Sequence, residues 1–187
     1  MSEPVRTIER RTLSRDGFRF ELRPHVAGVG EEVYPAAMAS GEALASWMPW
    51  FTANYCIEEM IEYSNGAIGS WEAGSSYEFV IFDCEDGAAV GACGLNDINW
   101  IDLVSNLGYW VSTPKGRLGA ATQAVQLLWE FGVGALGLNR MEIVVAEGNA
   151  ASRGVAQKAG ALYEGVQRKR VRIGEKVLDA HMYACLS

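Results

Sequence analysis

Lys115 and Arg117 stand beside Gly116 and Gly119 within residues 106–122, NLGYWVSTPKGRLGAAT. Glycines let a backbone approach a ligand closely, and the two cations would face an anion held there. The residues before Pro114 alternate like a strand and those after Gly119 follow a helical pattern, so the loop opens onto a helix start. The first backbone N–H groups of a helix have no partner within it and carry the positive end of its dipole. Gly119, Ala120, Ala121 and Thr122 would supply them here, with Leu118 beside them in the loop. Such a loop suits phosphate, so a phosphate-bearing cofactor is expected. The two common nucleotide loops are excluded by spacing: no Gly-Lys-Ser/Thr follows Gly119, and Gly116 and Gly119 do not make G-x-G-x-x-G.

A second cluster lies in residues 147–161, EGNAASRGVAQKAGA. Asn149 is a good N-cap for a helix over 151–159, and Gly160 is its stop signal. Ser152 falls in the first turn, where a hydroxyl is commonly a polar helix-start residue. The soft ligands suggest no further site. Cys56, Cys84, Cys93 and Cys185 form no C-x-x-C pair, and only His25 and His181 could join them, so neither zinc nor a disulfide framework is signalled. No metal is expected.

These residues must be positioned by the elements around them. Phe18, Phe20 and Leu22 alternate with charges and Pro24 ends the run, which predicts a strand after a charged start. Helical spacing follows over 30–48, interrupted by Pro35, and again over 57–64, where Glu58, Glu59 and Glu62 face away from Ile57, Met60 and Ile61. Between them lies WMPWF, residues 47–51, an aromatic corner that would plug the gap between the helices and a sheet. Tyr77, Phe79 and Ile81 alternate along a strand, Glu85-Asp86-Gly87 turns it, 89–95 returns, and 103–112 makes a third strand. A long helix over 119–136 ends at Gly137, and a strand follows over 141–146. Two closing strands, 163–171 and 177–186, turn at Gly174. Three antiparallel strands leading into the phosphate-type loop and one long helix make an α+β layout.

Length and charge set the outer bounds. At 187 residues the chain is long enough for one well-buried core and short for two, so one domain over 1–187 is expected. With 49% apolar and 21% charged residues it has an ordinary globular balance. A net charge of −7 disfavours nucleic acid as a direct partner and favours a cationic one. No apolar run approaches a membrane span, and MSEPVRTIERR has no hydrophobic signal region, so a cytoplasmic protein is expected. A homodimer is compatible with these bounds.

The run G-R-L-G-A-A over 116–121 resembles the acetyl-CoA loop of the GNAT acyltransferase superfamily, Q/R-x-x-G-x-G/A. Gly119 and Ala121 take its last two fixed places, and Gly116 stands where that superfamily has Gln or Arg. N-x-x-S followed by V-A-x-K-x-G, within LGLNRMEIVVAEGNAASRGVAQKAGALYEGVQR, resembles the second CoA-side element of RimJ/RimL-like members. The WMPW segment with its acidic helix looks like the same branch. The similarity runs from the first strand to the last. It implies the GNAT fold, an α+β three-layer arrangement whose mixed, mostly antiparallel sheet is splayed and flanked by helices. It implies acetyl-CoA bound between strands 4 and 5 and acetyl transfer to an amine. In the RimJ/RimL-like branch that amine is the α-amine of a protein N-terminus, notably of ribosomal proteins; small amines and antibiotics are the alternative acceptors.

The resemblance also implies roles. Cofactor contacts fall on Val111, Lys115, Gly116, Arg117, Leu118, Gly119, Ala120, Ala121, Thr122 and Asn149, with the N–H near Val111 as donor to the thioester oxygen. Ser152 would protonate the leaving sulfur, helped by Asn149. Trp47, Trp50 and Tyr109 would touch the acceptor, and Glu58, Glu59 and Glu62 would give that side a negative field. RimL-like strands often read E-I-G-Y-W, with the glutamate as a candidate base, whereas this chain has Asn106, which accepts no proton at neutral pH. A water chain, a nearby carboxylate such as Asp97 or Asp102, or lost chemistry are the three ways out. Two other readings stay open: an acyl-CoA-binding regulator without turnover, and an interaction module docking through Trp47 and Trp50.

Overall fold

A computed structural model of the chain describes residues 8–187, so the first part of the charged start lies outside it. Among the described residues, seven strands form one sheet in the order β1-β2-β3-β4-β5-β7-β6. They are β1 (Phe20–Pro24), β2 (Tyr77–Asp83), β3 (Ala89–Asn99), β4 (Val104–Val111), β5 (Arg140–Ala146), β6 (Leu162–Ile173) and β7 (Lys176–Leu186). Every neighbouring pair is antiparallel except β4 with β5.

Five α-helices of the described residues cover the sheet: α1 (Val29–Met38), α2 (Gly41–Ala45), α3 (Ile57–Ala73), α4 (Ala120–Phe131) and α5 (Ala150–Ala159). Period-two alternation sorts the β2 side chains between two cores. Tyr77, Phe79 and Ile81 pack with Val125, Leu128 and Phe131 of α4 on one face, while Val80 and Phe82 pack with Val33 of α1 and Met60 of α3 on the other. Each fully buried Phe or Leu contributes about 2 kcal/mol of apolar burial to holding these layers together.

Three helices differ markedly from the sequence reading, each for a physical reason. The helix expected over 30–48 is two helices, and the break falls at Ala39 and Ser40 rather than at Pro35, which sits inside α1. The Ser40 hydroxyl bonds back to Ala36 O and helps close that end. Helix α3 runs nine residues past Ser64 because Met60, Ser64, Ala67 and Trp71 continue one buried face, and this packing outweighs the cost of about 1 kcal/mol for each of Gly66 and Gly69. The helix expected over 119–136 is α-helical only to Phe131. It closes in a π-helical turn, Gly132–Leu136, capped by Gly137 at φ 72°.

Asp83, at the end of β2, is fully buried and holds this end of the sheet together. It accepts from Arg19 Nε at 3.0 Å and Nη2 at 2.7 Å, from Lys115 Nζ at 3.1 Å and from the Glu85 N–H at 3.1 Å. The Arg19 hydrogen bonds do most to hold its carboxyl down at about 2, below the ordinary 3.8. A depressed carboxylate contributes stability that is complete above its unfolded value and is lost as pH falls through its folded one. Asp83→Asn is therefore expected to cost about 2 kcal/mol at pH 7. The difference from the parent should vanish as the pH drops from 4 to about 2, which urea denaturation at stepped pH would measure.

Candidate active site

The seam between β4 and β5 is the feature that the site is built around. The two strands pair only at Val104 with Arg140, Ser105 with Met141 and Asn106 with Glu142. Beyond Asn106 they diverge, since β4 stays paired to β3 as far as Val111 and β5 stays paired to β7 as far as Ala146. A wedge opens between them. The Ser112 N–H donates to Val90 O across the β3 ladder at 2.7 Å. Alternation along an antiparallel ladder therefore turns the Val111 N–H the other way, into the wedge.

At the mouth of the wedge the chain makes a single 3₁₀ turn, Thr113–Lys115, and then the loop 116–119. Arg117 at φ 66° and Gly119 at φ 91° are both left-handed, which folds this loop tightly onto the start of α4. No side chain caps that helix, so the N–H groups of Ala120, Ala121 and Thr122 remain available to an anion. Leu118 is exposed beside them and Ala120 is buried. Lys115 is engaged elsewhere: its ammonium bridges Asp83 and Asp86, the latter at 2.5 Å. Its charge is neutralised there, which makes it an anchor for the loop and leaves Arg117 as the loop cation.

Across the wedge, Gly148 at φ 91° turns β5 into α5. Asn149 caps that helix through Oδ1, which accepts from the Ser152 N–H at 3.0 Å. The Ser152 hydroxyl lies 2.9 Å from the Tyr109 hydroxyl, which also donates to Ser152 O at 3.1 Å. Tyr109 thus reaches from β4 to α5 and closes the inner end of the wedge. Burial pushes its phenol up to about 12, so it stays protonated and can donate. Trp47 and Met48 line the same space, a cavity of about 150 Å³ that also includes Asn106.

A larger cavity of about 680 Å³ lies on the α1–α3 side of the sheet and shares Met48, Gly108 and Tyr109 with the first. Trp50 lines it with Tyr55, Tyr63 and Trp110, and Glu59 and Glu62 add two carboxylates. Glu58 does not line it. His25 also does, held neutral by burial that lowers it to about 4, with Nδ1 at 2.9 Å from Ser64 Oγ.

The two carboxylates that were one of the three alternatives to the family's glutamate, Asp97 and Asp102, line neither cavity. Asp102 accepts from Asn99 Nδ2 at 2.7 Å in the exposed β3–β4 turn, and Asp97 sits exposed at φ 50° in the irregular end of β3, between Asn96 and Asn99. Besides Glu59 and Glu62, the larger cavity is lined by a buried carboxylate, Glu78 of β2, 9% exposed. Burial raises its pKa, and hydrogen bonds from Asn96 and Tyr63 oppose the rise. Asn106 Nδ2 donates to Asn96 Oδ1 at 2.8 Å and Asn96 Nδ2 to Glu78 Oε1 at 3.3 Å, so amide side chains link the wedge to that carboxylate. The signal in the sequence was a carboxylate at a position whose same-face neighbours two and four residues on, Val80 and Phe82, are core residues. Among the described residues, no three His, Cys, Asp or Glu side chains cluster as a metal site, and no helix is long and apolar enough to cross a membrane.

Comparison with known proteins bears on this geometry. The family described as "Acetyltransferase (GNAT) domain" matches residues 19–162. Among curated proteins the chain is 32% identical over 117 residues to "Probable N-acetyltransferase YjcK" of Bacillus subtilis, covering 62% of this chain and 65% of that one. It is 28% identical over 113 residues to "Uncharacterized N-acetyltransferase p20" of Bacillus licheniformis, covering 60% and 64%. The alignments span only 55–65% of the length of these curated relatives. Among solved structures, the Salmonella typhimurium acetyltransferase described as modifying the N-terminal serine of ribosomal protein L7/L12 has the same fold. Its TM-score is 0.84 at 20% identity over 95% of this chain and 99% of that one. A RimL L7/L12 α-N-protein acetyltransferase in complex with coenzyme A gives 0.82 at 21% identity over 98% and 96%.

Proposed function

The chain belongs to the acetyltransferase (GNAT) domain family, and from that premise we propose that it is an acetyl-CoA-dependent N-acetyltransferase acting on a primary amine. The observation that carries this reading is the short β4–β5 seam, which leaves the Val111 N–H facing a wedge whose mouth is the uncapped start of α4. The loop 116–119 and the N–H groups of Ala120, Ala121 and Thr122 would hold the pyrophosphate, with Arg117 as the nearby cation. Acetyl-CoA would supply the activated acetyl group, and the Val111 N–H would stabilise the oxygen on which charge develops. Ser152, fixed by Asn149 and in contact with the Tyr109 hydroxyl, would give a proton to the departing sulfur. Asn106 acts in this scheme as a hydrogen-bonding link rather than as a base.

The acceptor favoured here is the N-terminal α-amine of a protein, a ribosomal one in particular. This is supported by sequence elements resembling the RimJ/RimL-like branch and by the shared fold of two L7/L12 acetyltransferases. A specific observation favours a second reading, a small amine: the cavity of about 680 Å³ is the size of a compact ligand site and is walled by aromatic rings. In both readings the chain acts as a single cytoplasmic domain.

Two measurements test the proposal. Calorimetry should detect acetyl-CoA binding, and release of free thiol should follow addition of an N-terminal peptide or a small primary amine. Binding without release would instead support an acyl-CoA-binding regulator. Ser152→Ala is expected to lower kcat about tenfold with little change in acetyl-CoA affinity. Equal turnover would reduce Ser152 to a helix-start residue.

A further inference from the structure

Glu78, Gly94 and Gly108 stand side by side across β2, β3 and β4. With no side chain on either neighbour, the Glu78 carboxylate lies over Gly94, where an added Cβ would meet Oε2 at 1.8 Å and Oε1 at 2.9 Å. Above Gly108 the space is open, and a Cβ there would meet nothing nearer than Asn106 Nδ2 at 3.8 Å. Strands lie about 4.8 Å apart, so a carboxylate lying over β3 is about one strand spacing from the β4 edge where the wedge opens. Tyr109, beside Gly108, borders both that wedge and the larger cavity.

Glu78 is buried, and no Lys or Arg pairs with it among the described residues. A buried carboxylate without a cation is costly and rare, and its partners here are only the Asn96 amide and the Tyr63 hydroxyl. A cationic ligand would complete it. The rings of Trp50, Tyr55 and Trp110 line the same cavity and offer faces to an ammonium and its apolar body.

We propose that Glu78 is the proton acceptor of the site, binding the ammonium of an acceptor with an apolar or aromatic body above the Gly94–Gly108 floor. This rests on the acetyltransferase reading for its chemistry. The Glu78 carboxylate takes one proton from the ammonium, directly or through one water, and passes it to solvent. The freed nitrogen lone pair forms the C–N bond to the thioester carbonyl carbon. As the tetrahedral state collapses the C–S bond breaks with its electron pair going to sulfur. Sulfur takes a proton from the Ser152–Tyr109 hydroxyl pair, which the second proton shed by nitrogen replenishes.

The probe is 2-phenylethylammonium, with 2-phenylethanol as its neutral counterpart, and binding is read by quenching of tryptophan fluorescence. Glu78→Gln should weaken ammonium binding at least tenfold and leave the alcohol unchanged. It should lower kcat/KM for the amine at least tenfold and remove the acidic limb of the kcat/KM profile. Glu59, Glu62, Tyr63, His25, Cys93 and Tyr109 also face this space, and they are retained in the variant, so loss of that limb belongs to Glu78. Glu78→Asp, which keeps the charge and shortens its reach, should recover part of the binding and serves as the second variant if the amide fails to fold. Equal ammonium binding by parent and variant, or no binding by the parent at millimolar probe, overturns the proposal. Calorimetry with acetyl-CoA is run separately: absence of cofactor binding would sink the acetyltransferase reading, while the amine titration would still decide the role of Glu78.

Discussion

Gly91→Ala is expected to damage both the fold and the site, by about 3 kcal/mol of stability and by more than about 10² in kcat/KM. Gly91 pairs with Val111 across the β3–β4 ladder. A Cβ at this position would meet Trp110 O at 2.2 Å and Val111 Cα at 2.9 Å. Both are backbone atoms, so no rotamer change can relieve the overlap and β4 itself has to move away by about an ångström. The displaced stretch carries the Val111 N–H, and a shift of this size is what misaligned catalytic groups feel most. Urea denaturation and thiol release, measured on the same protein, would test it. A variant with parental stability and turnover would show that β4 is not rigidly held at Val111.

Ala121→Asp is expected to change two properties in opposite directions. Residue 121 is the second position of α4, where a carboxylate interacts favourably with the helix dipole. The apo protein should therefore keep its melting temperature or gain slightly. The same carboxylate would stand where the pyrophosphate is proposed to sit, and repulsion should weaken acetyl-CoA about 10²-fold. Calorimetry against a thermal melt separates the two effects, and unchanged affinity would move the phosphates away from α4. Gly119→Val, which the glycine in the loop invites, is a poorer probe. At φ 91° a β-branched residue is strained whatever binds nearby, so a fall in affinity would have two causes.

Local pattern made much of the fold legible. The strand, loop and helix over 106–131 followed from alternation, Pro114, the glycines and helical spacing, and Asn149 was recognisable as a cap because its chemistry is local. The wedge was not legible from residues alone. Nothing in NLGYWV says that pairing with β5 stops after Asn106, because that depends on where β5 goes, and the expectation came through the family resemblance. Long-range partners explain the other gaps. Lys115 read as a phosphate cation because Asp83 and Asp86 lie about thirty positions earlier and no local signal brings them to it. Asp97 and Asp102 were near in sequence to the missing base, yet Asp97 lies exposed at the irregular end of β3 and Asp102 in the β3–β4 turn, outside both cavities. Glu78 reached the site because Gly94 and Gly108 came into register beside it, and register belongs to the whole sheet.

The three residue pairs at the seam are the whole of the strand pairing between two parts of the sheet, β1–β4 and β5–β7. A molecule lodged in the wedge would touch both parts and take over hydrogen bonding that the seam leaves out. Mass action then ties the chain's resistance to unfolding to its supply of ligand: at a hundred times Kd the gain is about 2.7 kcal/mol, and it dwindles when the ligand is scarce. In a cell, the lifetime of such a protein would follow the concentration of its own co-substrate, so that a starved enzyme would be cleared sooner than a saturated one.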